Sequence, residues 1–526
     1  MTSLMTAAVT VTVDGRPHQE PELLRSVRVA SRLSQPAQCE LVVAAPHGAT
    51  RWPVEWSFGA TVTVGFADEQ GILFEGEVTC LELVHDPDGV AQVRIRAYDR
   101  LHRLRKREQL RVFEDVTPAD VVARLVDDLD LDLVVDEAGP RLDRVLQAGQ
   151  SDFDLLAEVT ARAGLHTVLR GRRLRVLTLA GYGEPVALRL GTSLLDVAMT
   201  ANLDRVARRV TALGWHSERA EARSRTATSP RGPARSGGAA DPRLVGADGE
   251  RYLVDQPGRS DDQLAGLAQS ALDSSTHRAV TVRGVAAGDV RLWAGGRIDL
   301  DDVAEQVAGR HVVTEAVHTV DARGYQATFS TEPTDRGPAG WSGTDLAAPG
   351  PVGAGPAGAV ITLGRVIAVD DPDRLGRVRI ALPAYGDLDI GWLGVLCPGA
   401  GPGRGVVVLP DVGDTVAVAL PHRAPIGGIV LGSLYGTVKP PDPGVVGGDV
   451  RRWSVRTVNG QSVVLDDAGR LIRVENKVGS FLELGPRRTT LHSATDLVIE
   501  APGRSMTVRA STVDFEHSML PPVGGS

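Results

Sequence analysis

The last third of the sequence alternates short apolar and polar positions, and the pattern repeats about every eight to ten residues. Pairs such as Val463 with Leu465 and Ile472 with Val474 are separated by one residue, which is the period of a β-strand. A series of about seven such short strands has little interior of its own and leaves its sheet edges open. Winding several copies of the chain around one axis removes both problems. The sequence therefore predicts an obligate oligomer with a rigid β prism at its C-terminal end.

The apolar residues of this repeat are predicted to point toward the axis of the prism. They are Val463, Leu465, Ile472, Val474, Leu482, Leu484, Leu497, Ile499, Met506, Val508, Val513 and Phe515. The polar residues between them, such as Arg473 and Glu483, are predicted on the opposite face. A slip of one residue would exchange the two faces, so the register of the strands should be strongly specified.

Composition argues against several classes of partner. The net charge of −9 and the aromatic content of 4% disfavour nucleic acid, and the charge also disfavours an anionic membrane surface. The three cysteines, Cys39, Cys80 and Cys397, lie far apart, and we interpret them as free, buried thiols of a protein made in a reducing compartment. The first residues contain no signal-peptide pattern and no segment has the length of a membrane helix, so we expect assembly in the cytoplasm.

Five regions follow one another along a chain that we predict to be mainly β. Residues 1–332 contain the strands of two small barrels with a few helices. Residues 333–358 form a linker rich in Gly, Pro and Ala, and residues 359–438 form a compact β unit. Residues 445–518 form the prism and residues 519–526 a polar tail.

Helices are predicted near residues 117–164 and 262–274 of the first region. Thr117 followed by proline is a typical N-cap, and Ser151 with Asp154 three residues later resembles a capping box. Gly164 is predicted to end the second helix.

Residues 217–243 are rich in Arg, Ser, Gly and Pro and contain few large apolar residues. We interpret this segment as a mobile loop. A nucleic-acid-binding arm is the alternative, but the acidic residues Glu218, Glu221 and Asp241 dilute its positive charge.

Motifs for catalysis, cofactor binding and metal binding were not found in context. The glycine-rich run 399–405 resembles a phosphate-binding loop, but a strand-like segment, 406–409, follows it instead of a helix. The segment 371–376 lacks the later ligands of a calcium loop and is interpreted as a hairpin turn. The carboxylates of Asp466, Asp467 and Glu475 are interpreted as a solvated strand face. We therefore predict no catalytic residue, no metal site and no cofactor.

Two sets of motifs resemble a known family. Residues 98–104, 113–122 and 150–156 are similar to the hub part of phage late-control and valine-glycine-repeat (VgrG-like) spike proteins. A second, longer set resembles the OB-fold of the same spikes. This set comprises residues 364–366, 370–372, 375–379, 392, 398–401, 405, 409–414 and 430–434.

The resemblance implies a homotrimeric central spike of a contractile injection system. In such a machine three chains with two barrels each form a ring that matches a hexameric inner tube, the OB-fold narrows the ring, and the needle punctures the target membrane. The family also implies baseplate partners, effector cargo and a PAAR-like protein that caps the tip. We expect that cap to dock at His517, Ser518, Met519 and Leu520, where the chain ends are too short to form a point. The short needle and the absence of an added domain are most similar to the extracellular phage-tail-like particles.

Two alternatives remain. A spike-borne cell-wall hydrolase would need an insertion or extension with its own core, and neither 333–358 nor the tail is long enough. A carbohydrate-binding OB module would need exposed aromatic side chains on one face, and the candidates are Trp392 and Tyr385.

Overall fold

The computed structural model describes most of the chain as two compact units, Met1–Leu434 and Tyr435–Ser526. The described residues are 9–45, 56–67, 71–85, 91–204, 206–216, 221–232, 242–246, 249–256, 260–305, 307–333, 360–420, 428–436 and 438–514. The predicted linker 333–358 and tail 519–526 lie outside these ranges, apart from residue 333.

The first unit begins with seven strands that form one half of a large sheet. They are β1 (Val9–Val13), β2 (Arg16–Pro17), β3 (Leu24–Arg32), β4 (Gln38–Ala45), β5 (Thr61–Phe66), β6 (Ile72–His85) and β7 (Ala91–Tyr98). Their inward side chains alternate with polar ones, and Val29, Leu41 and Ile95 are among those fully buried in the core. The sequence pattern predicts five of these strands, at residues 9–13, 41–43, 61–65, 72–83 and 93–97, but not β2 and β3.

A smaller helical layer follows. It consists of β8 (Glu108–Val116), α1 (Pro118–Val126), β9 (Asp132–Val135), β10 (Leu142–Ser151), α2 (Asp152–Arg162), β11 (His166–Arg170) and β12 (Arg173–Leu177). The predicted caps are confirmed, since Thr117 and Asp120 form a reciprocal capping box and the Ser151 hydroxyl accepts from the amide of Asp154. Gly164, at φ +68°, follows the last turn of α2 as predicted.

The second half of the large sheet comes from the next part of the chain. This part contains β13 (Tyr182–Arg189), β14 (Leu194–Ala201), β15 (Arg209–His216), β16 (Glu221–Ala227), β17 (Glu250–Gln256), α3 (Asp261–Ala279), β18 (Val280–Ala287), β19 (Gly296–Asp301), β20 (Gly309–Val312), β21 (Glu315–Asp321) and β22 (Gly324–Ser330). The strands β14, β18, β21 and β22 belong to the large sheet, and the others form two three-stranded sheets, β13-β19-β20 and β16-β15-β17. Pairing of β21 with β3 joins the halves into an 11-stranded sheet ordered β14-β18-β22-β21-β3-β4-β7-β6-β5-β1-β2. Each half keeps its own hydrophobic core.

The segment 217–243, predicted as a mobile loop, contains a strand. β16 pairs antiparallel with β15 from Val210↔Ala227 to His216↔Glu221. Of its side chains only Ala227 is buried, so this strand at the edge of its sheet has no apolar face that a sequence pattern could reveal. Residues 217–220 and 233–241 lie outside the described residues.

The predicted OB unit is a closed barrel with the order β23-β24-β25-β27-β26. Its strands are β23 (Val360–Ala368), β24 (Arg377–Leu382), β25 (Leu388–Val395), β26 (Thr415–Leu420) and β27 (Ile429–Ser433). The barrel closes tightly at Gly364, where a Cβ atom would lie 2.6 Å from the Ile380 side chain. Residues 406–409, expected to be strand-like, form no strand, and the only pairing in the glycine run before them is the bridge between Gly401 and Arg404.

The described part of the second unit contains seven short strands, and the four within residues 462–492 were predicted for the prism. They are β28 (Val445–Val446), β29 (Asp449–Val450), β30 (Arg452–Arg456), β31 (Ser462–Asp466), β32 (Leu471–Glu475), β33 (Phe481–Leu484) and β34 (Thr489–His492). The first two form a hairpin and the other five form one antiparallel sheet in sequence order.

Candidate functional site

The five-stranded sheet β30–β34, called here the needle sheet, is built by tight turns between short strands. At the first turn the amide of Thr457 donates to the carbonyl of Gln461 at 2.9 Å, and Gly460 adopts φ +86°. At the third turn the Asn476 side chain accepts from the amides of Val478 and Ser480 at 3.1 and 3.0 Å. These turns fix the register, which pairs Val463 with Val474 and Val474 with Leu482.

One face of the needle sheet is entirely apolar over its three central strands. The six predicted core residues there are Val463, Leu465, Ile472, Val474, Leu482 and Leu484, and the ladder places them side by side. All six are exposed in the single chain, by 38% to 46%. A contiguous apolar face of this kind is unfavourable in water and marks an interaction surface.

The opposite face of the same sheet is mixed: an ion-paired cluster around Arg473 lies beside the apolar side chains of Val464, Leu471 and Phe481. The guanidinium of Arg473 donates to Glu475 at 3.0 Å and to Glu483 at 2.8 Å, and it lies 3.9 Å from the centre of the Phe481 ring. The hydrogen bond from Arg473 holds the pKa of Glu475 below its usual range. The charged side chains of the sheet therefore lie on this face, and the orientation of the apolar face toward the axis of a prism stays a prediction.

The needle sheet contains one strand, β30, that the sequence analysis did not propose. Trp453 and Val455 on β30 pair with Leu465 and Val463, which extends the apolar face by one strand. On the other side, Leu491 of the repeat pairs with Leu482 and continues the same face. Trp453 is 68% exposed. The two apolar residues of β30 are separated by one serine, so the same period-two signal was present there, but it precedes the region in which the repeat is regular.

The predicted core residues that follow β34 do not lie in strands. Residues 493–514 contain neither a helix nor a strand, so the strands expected around Leu497, Met506 and Val513 are not formed in the single chain. A strand needs a partner to exchange ladder hydrogen bonds, and one chain supplies none at these positions. The side chains of Leu497, Ile499, Met506, Val508 and Val513 are exposed.

The remaining predicted residues of the tip lie outside the described part of the chain. They are Phe515, His517, Ser518, Met519 and Leu520.

The segment 371–376 is a structural turn, as predicted. The carboxylate of Asp371 accepts from the amides of Asp373 and Leu375 at 3.1 and 2.8 Å and from the guanidinium of Arg377 at 2.7 Å. These donors, with Arg377 foremost, hold the pKa of Asp371 well below its usual range. The carboxylate is committed to closing the β23–β24 connection.

Within the described ranges no group of three or more His, Cys, Asp or Glu side chains is arranged to hold a metal ion. In those ranges no helix is both long and apolar enough to cross a membrane. Cys39, Cys80 and Cys397 are free, as predicted, but the expectation that all three are buried is wrong, because Cys80 and Cys397 are partly exposed. Cys39 is buried, and burial raises the pKa of its thiol.

Comparison with known families decides what this architecture is. The profile of the family described as "Phage tail baseplate hub (GPD)" matches residues 31–324, which is more than half of the chain. The chain belongs to the phage tail baseplate hub family. A second profile, the "Type VI secretion system/phage-baseplate injector OB domain", matches residues 362–435, the closed barrel. A comparison with curated proteins finds no match.

Solved structures support the same fold at low sequence identity. A type VI secretion component from E. coli, c3393, described as similar to the T4 bacteriophage tail proteins gp27 and gp5, superposes with a TM-score of 0.52 at 14% identity. The match covers 81% of this chain and 99% of that one. The half-lidded Francisella PdpA-VgrG complex gives a TM-score of 0.52 at 7% identity, covering 92% of this chain and 88% of that one. The hub family member described here thus has the mainly β architecture of a VgrG-like hub and spike, with an OB domain.

Proposed function

We propose that the chain is the homotrimeric central spike of a contractile injection system. The observation that carries the proposal is the apolar face of the needle sheet, exposed in a chain whose first unit belongs to the baseplate hub family. Three copies that bring these faces together around one axis would bury Val463, Ile472 and Leu482 of each chain and leave the paired Arg473 face in water. In this assembly of three chains, residues 493–514 of each chain would find in the other two chains the strand partners that a single chain lacks.

The proposed role is mechanical. The hub adapts the end of a hexameric inner tube to a trimeric needle, the OB barrel narrows the passage, and the needle punctures the target membrane, which it meets only transiently. Baseplate proteins, the inner tube protein and a PAAR-like tip protein are the proposed partners, and effector cargo is a further one. Support for cargo comes from the Francisella structure, in which a VgrG protein is in complex with PdpA.

We further propose that the particle belongs to the extracellular phage-tail-like type. In this proposal the chain is assembled in the cytoplasm and leaves as part of a particle that is released or fired outward. The protein has no catalytic activity in this proposal. Purified protein should leave peptidoglycan, nucleic acids and ester substrates intact, and turnover abolished by one carboxylate or serine substitution would contradict this.

The test of the trimer is the replacement of one residue on each face of the needle sheet. Sedimentation or native mass measurement of the unaltered protein should give three times 55.6 kDa. Leu482→Asp would bring three carboxylates into an apolar prism. Their burial should destabilise the trimer by several kcal/mol and shift the protein toward monomer. Val464→Asp is the matched control, because Val464 lies on the other face, which the proposed trimer leaves in water.

The two substitutions are expected to have opposite outcomes: Leu482→Asp should weaken the trimer and Val464→Asp should not. A well-folded monomer of the unaltered protein at micromolar concentration would exclude the homotrimeric spike. A trimer that tolerates Leu482→Asp with an unchanged melting temperature would show that the axis-facing side has been assigned incorrectly.

A further inference from the structure

A lobe of the hub is inserted between two neighbouring strands of the large sheet. The chain leaves β14 at Ala201 and returns to β18 at Val280, and these two residues are paired in the ladder. Residues 202–279 between them, called here the hub lobe, contain the sheet β16-β15-β17 and the helix α3. The lobe has a hydrophobic core of its own, in which α3 covers one face of this sheet with Leu264 and Ala268. The core of the lobe does not require the other face to be covered.

The central strand β15 separates the two faces of the lobe sheet. Val210 and Ala212 are fully buried in the core with α3, so Thr211, Leu213 and Trp215 lie on the outward face. The indole of Trp215 is 57% exposed. The outward face therefore presents a large aromatic ring to solvent.

A stripe of apolar side chains crosses this outward face. Tyr252 of β17 is the partner of Thr211 in the parallel ladder, and it is 59% exposed. From Tyr252 the stripe continues through Leu213 to Trp215. Because Thr211 and Trp215 are four residues apart on one strand, the two aromatic residues lie about 14 Å apart. Aromatic rings thus stand at both ends of the stripe.

A row of hydroxyl groups lies beside the stripe. Thr226 and Ser224 of β16 are opposite Thr211 and Leu213 in the antiparallel ladder. The hydroxyls of Thr211 and Thr226 share a hydrogen bond at 2.9 Å, and all three hydroxyl-bearing residues are at least partly exposed. A hydroxyl both donates and accepts, so this row can bond the hydroxyls of a ligand in either sense.

The described side chains of the outward face carry no net charge. Their one ion pair joins Arg209 to Glu250 at 3.1 Å, and the Tyr252 hydroxyl donates to the same carboxylate at 3.2 Å. Ala222, opposite Trp215, is too small to cover the indole ring. A nucleic acid or a charged peptide finds no excess of opposite charge on this face, whereas the aromatic rings stay open to a neutral ligand.

We propose that the outward face of the hub lobe binds an extended, neutral glycan chain. A pyranose ring has an apolar face of C–H groups and a rim of hydroxyls. A chain laid along the stripe places sugar faces on Trp215 and Tyr252 and its hydroxyls beside the hydroxyl row. A protein interface favours one contiguous apolar centre, whereas here two separated rings are flanked by hydroxyls. The site adds recognition of a sugar polymer to the mechanical role, and it does not depend on the trimer.

Titration of full-length protein with chitohexaose in a calorimeter tests the site, because this neutral chain of sugars is extended. Trp215→Ala and Tyr252→Ala should each raise the dissociation constant by about tenfold, whereas Tyr252→Phe, which keeps the ring, should change it less. Phe58→Ala is the matched control, because Phe58 is a similarly exposed aromatic residue in a hub turn outside the lobe. Its affinity should equal that of the unaltered protein. Maltohexaose, whose chain curves, should bind more weakly.

The melting temperatures of the variants verify that they fold, since Trp215 and Tyr252 lie outside the core of the lobe. No binding of chitohexaose at millimolar concentration, equal affinity for maltohexaose, or an unchanged dissociation constant in both alanine variants of the lobe would overturn the proposal. If the unaltered protein binds no glycan and Trp215→Ala instead releases a protein of the assembled particle, the face is a protein interface and the proposal is also overturned.

Discussion

Arg231, in the polar segment 217–243, stabilises the fold through ion pairs. Its amide and Nε donate to the carboxylate of Asp273 on α3 at 2.7 and 2.8 Å, and its guanidinium also pairs with Glu137. Asp273 is 2% exposed in its side chain and accepts a third bond from Gln269 at 2.8 Å. A carboxylate this buried is stable only because its charge is balanced and its oxygens are occupied.

Asp273→Ala should therefore destabilise the protein. Arg231 would keep Glu137 but lose its main partner, so we expect a loss of roughly 2 to 3 kcal/mol in the free energy of unfolding. Asp128→Ala is the control, because Asp128 pairs with Arg107 in an exposed position and its loss should cost less than about 1 kcal/mol. Denaturant titration measures both, and equal effects would contradict the structural role of Asp273.

His318 is a buried residue on β21, the strand that joins the two halves of the hub sheet. Its Nε2 and Nδ1 lie 2.7 Å from the Leu292 carbonyl and 2.9 Å from the Tyr325 hydroxyl. A neutral ring that donates through Nε2 and accepts through Nδ1 satisfies both partners. Burial lowers the pKa of His318 to about 4.

Lowering the pH should reduce the stability of the hub, because His318 is neutral in the folded state. In the unfolded chain the pKa of histidine is about 6.5, so between pH 6.5 and 4 the unfolded state binds the proton and the folded state does not. The stabilising contribution is complete above pH 6.5 and is lost as the pH falls toward 4, by up to about 3 kcal/mol. His318→Gln should flatten the dependence of the melting temperature on pH in this range. An unchanged slope would contradict the assignment.

At the scale of elements, helix α1 shows local signals that agree with the fold. The Thr117 hydroxyl accepts from the amide of Asp120 at 3.2 Å, and the Asp120 carboxylate accepts from the amide of Thr117 at 2.8 Å. Val121, Val122 and Leu125 are buried on one side of the helix. The cap and the apolar stripe were both readable in the sequence because they involve residues a few positions apart.

Removing the cap should open α1 locally. Thr117→Ala and Asp120→Ala should each lower the local stability of the helix by about 1 kcal/mol, seen as faster hydrogen exchange of its first amides. Because each residue caps the other, the double variant should lose less than the sum of the two. Additive losses would show that the two halves of the box act independently.

At the scale of the whole molecule, the hub family places the first unit in a baseplate and the needle sheet gives the second unit an interaction face. Both units are built mainly of β-strands. The apolar end of a prism near Val513 would remain in contact with water unless another protein covers it.

A separate tip protein should therefore bind the C-terminal end. Full-length protein should retain a small PAAR-like protein in a pull-down, and a truncation after residue 505 should not. Equal binding by both, or binding by neither, would contradict docking at His517, Ser518, Met519 and Leu520. The hub should remain folded in the truncated protein, which circular dichroism can verify.

The sequence alone was sufficient for features that depend on neighbouring residues. The caps of α1 and α2, the hairpin turn at Asp371 and the two faces of the needle sheet all follow from local patterns. The motifs of the OB barrel were equally readable, because turn residues and buried valines recur at short spacings. β16 could not be predicted, because it lies at the edge of its sheet and has no apolar face, and the arginines around it resembled a solvated loop.

Tertiary structure decided which distant residues meet. Pairing of β21 with β3 brings together segments almost 300 residues apart, and no local pattern encodes such a contact. The same holds for the ion pair between Arg231 and Asp273. Alternation along one strand determines which side chains share a face, since the backbone period is two. Which strands lie next to each other depends on the packing of the whole chain, because that choice is set by the total buried surface and not by any one segment.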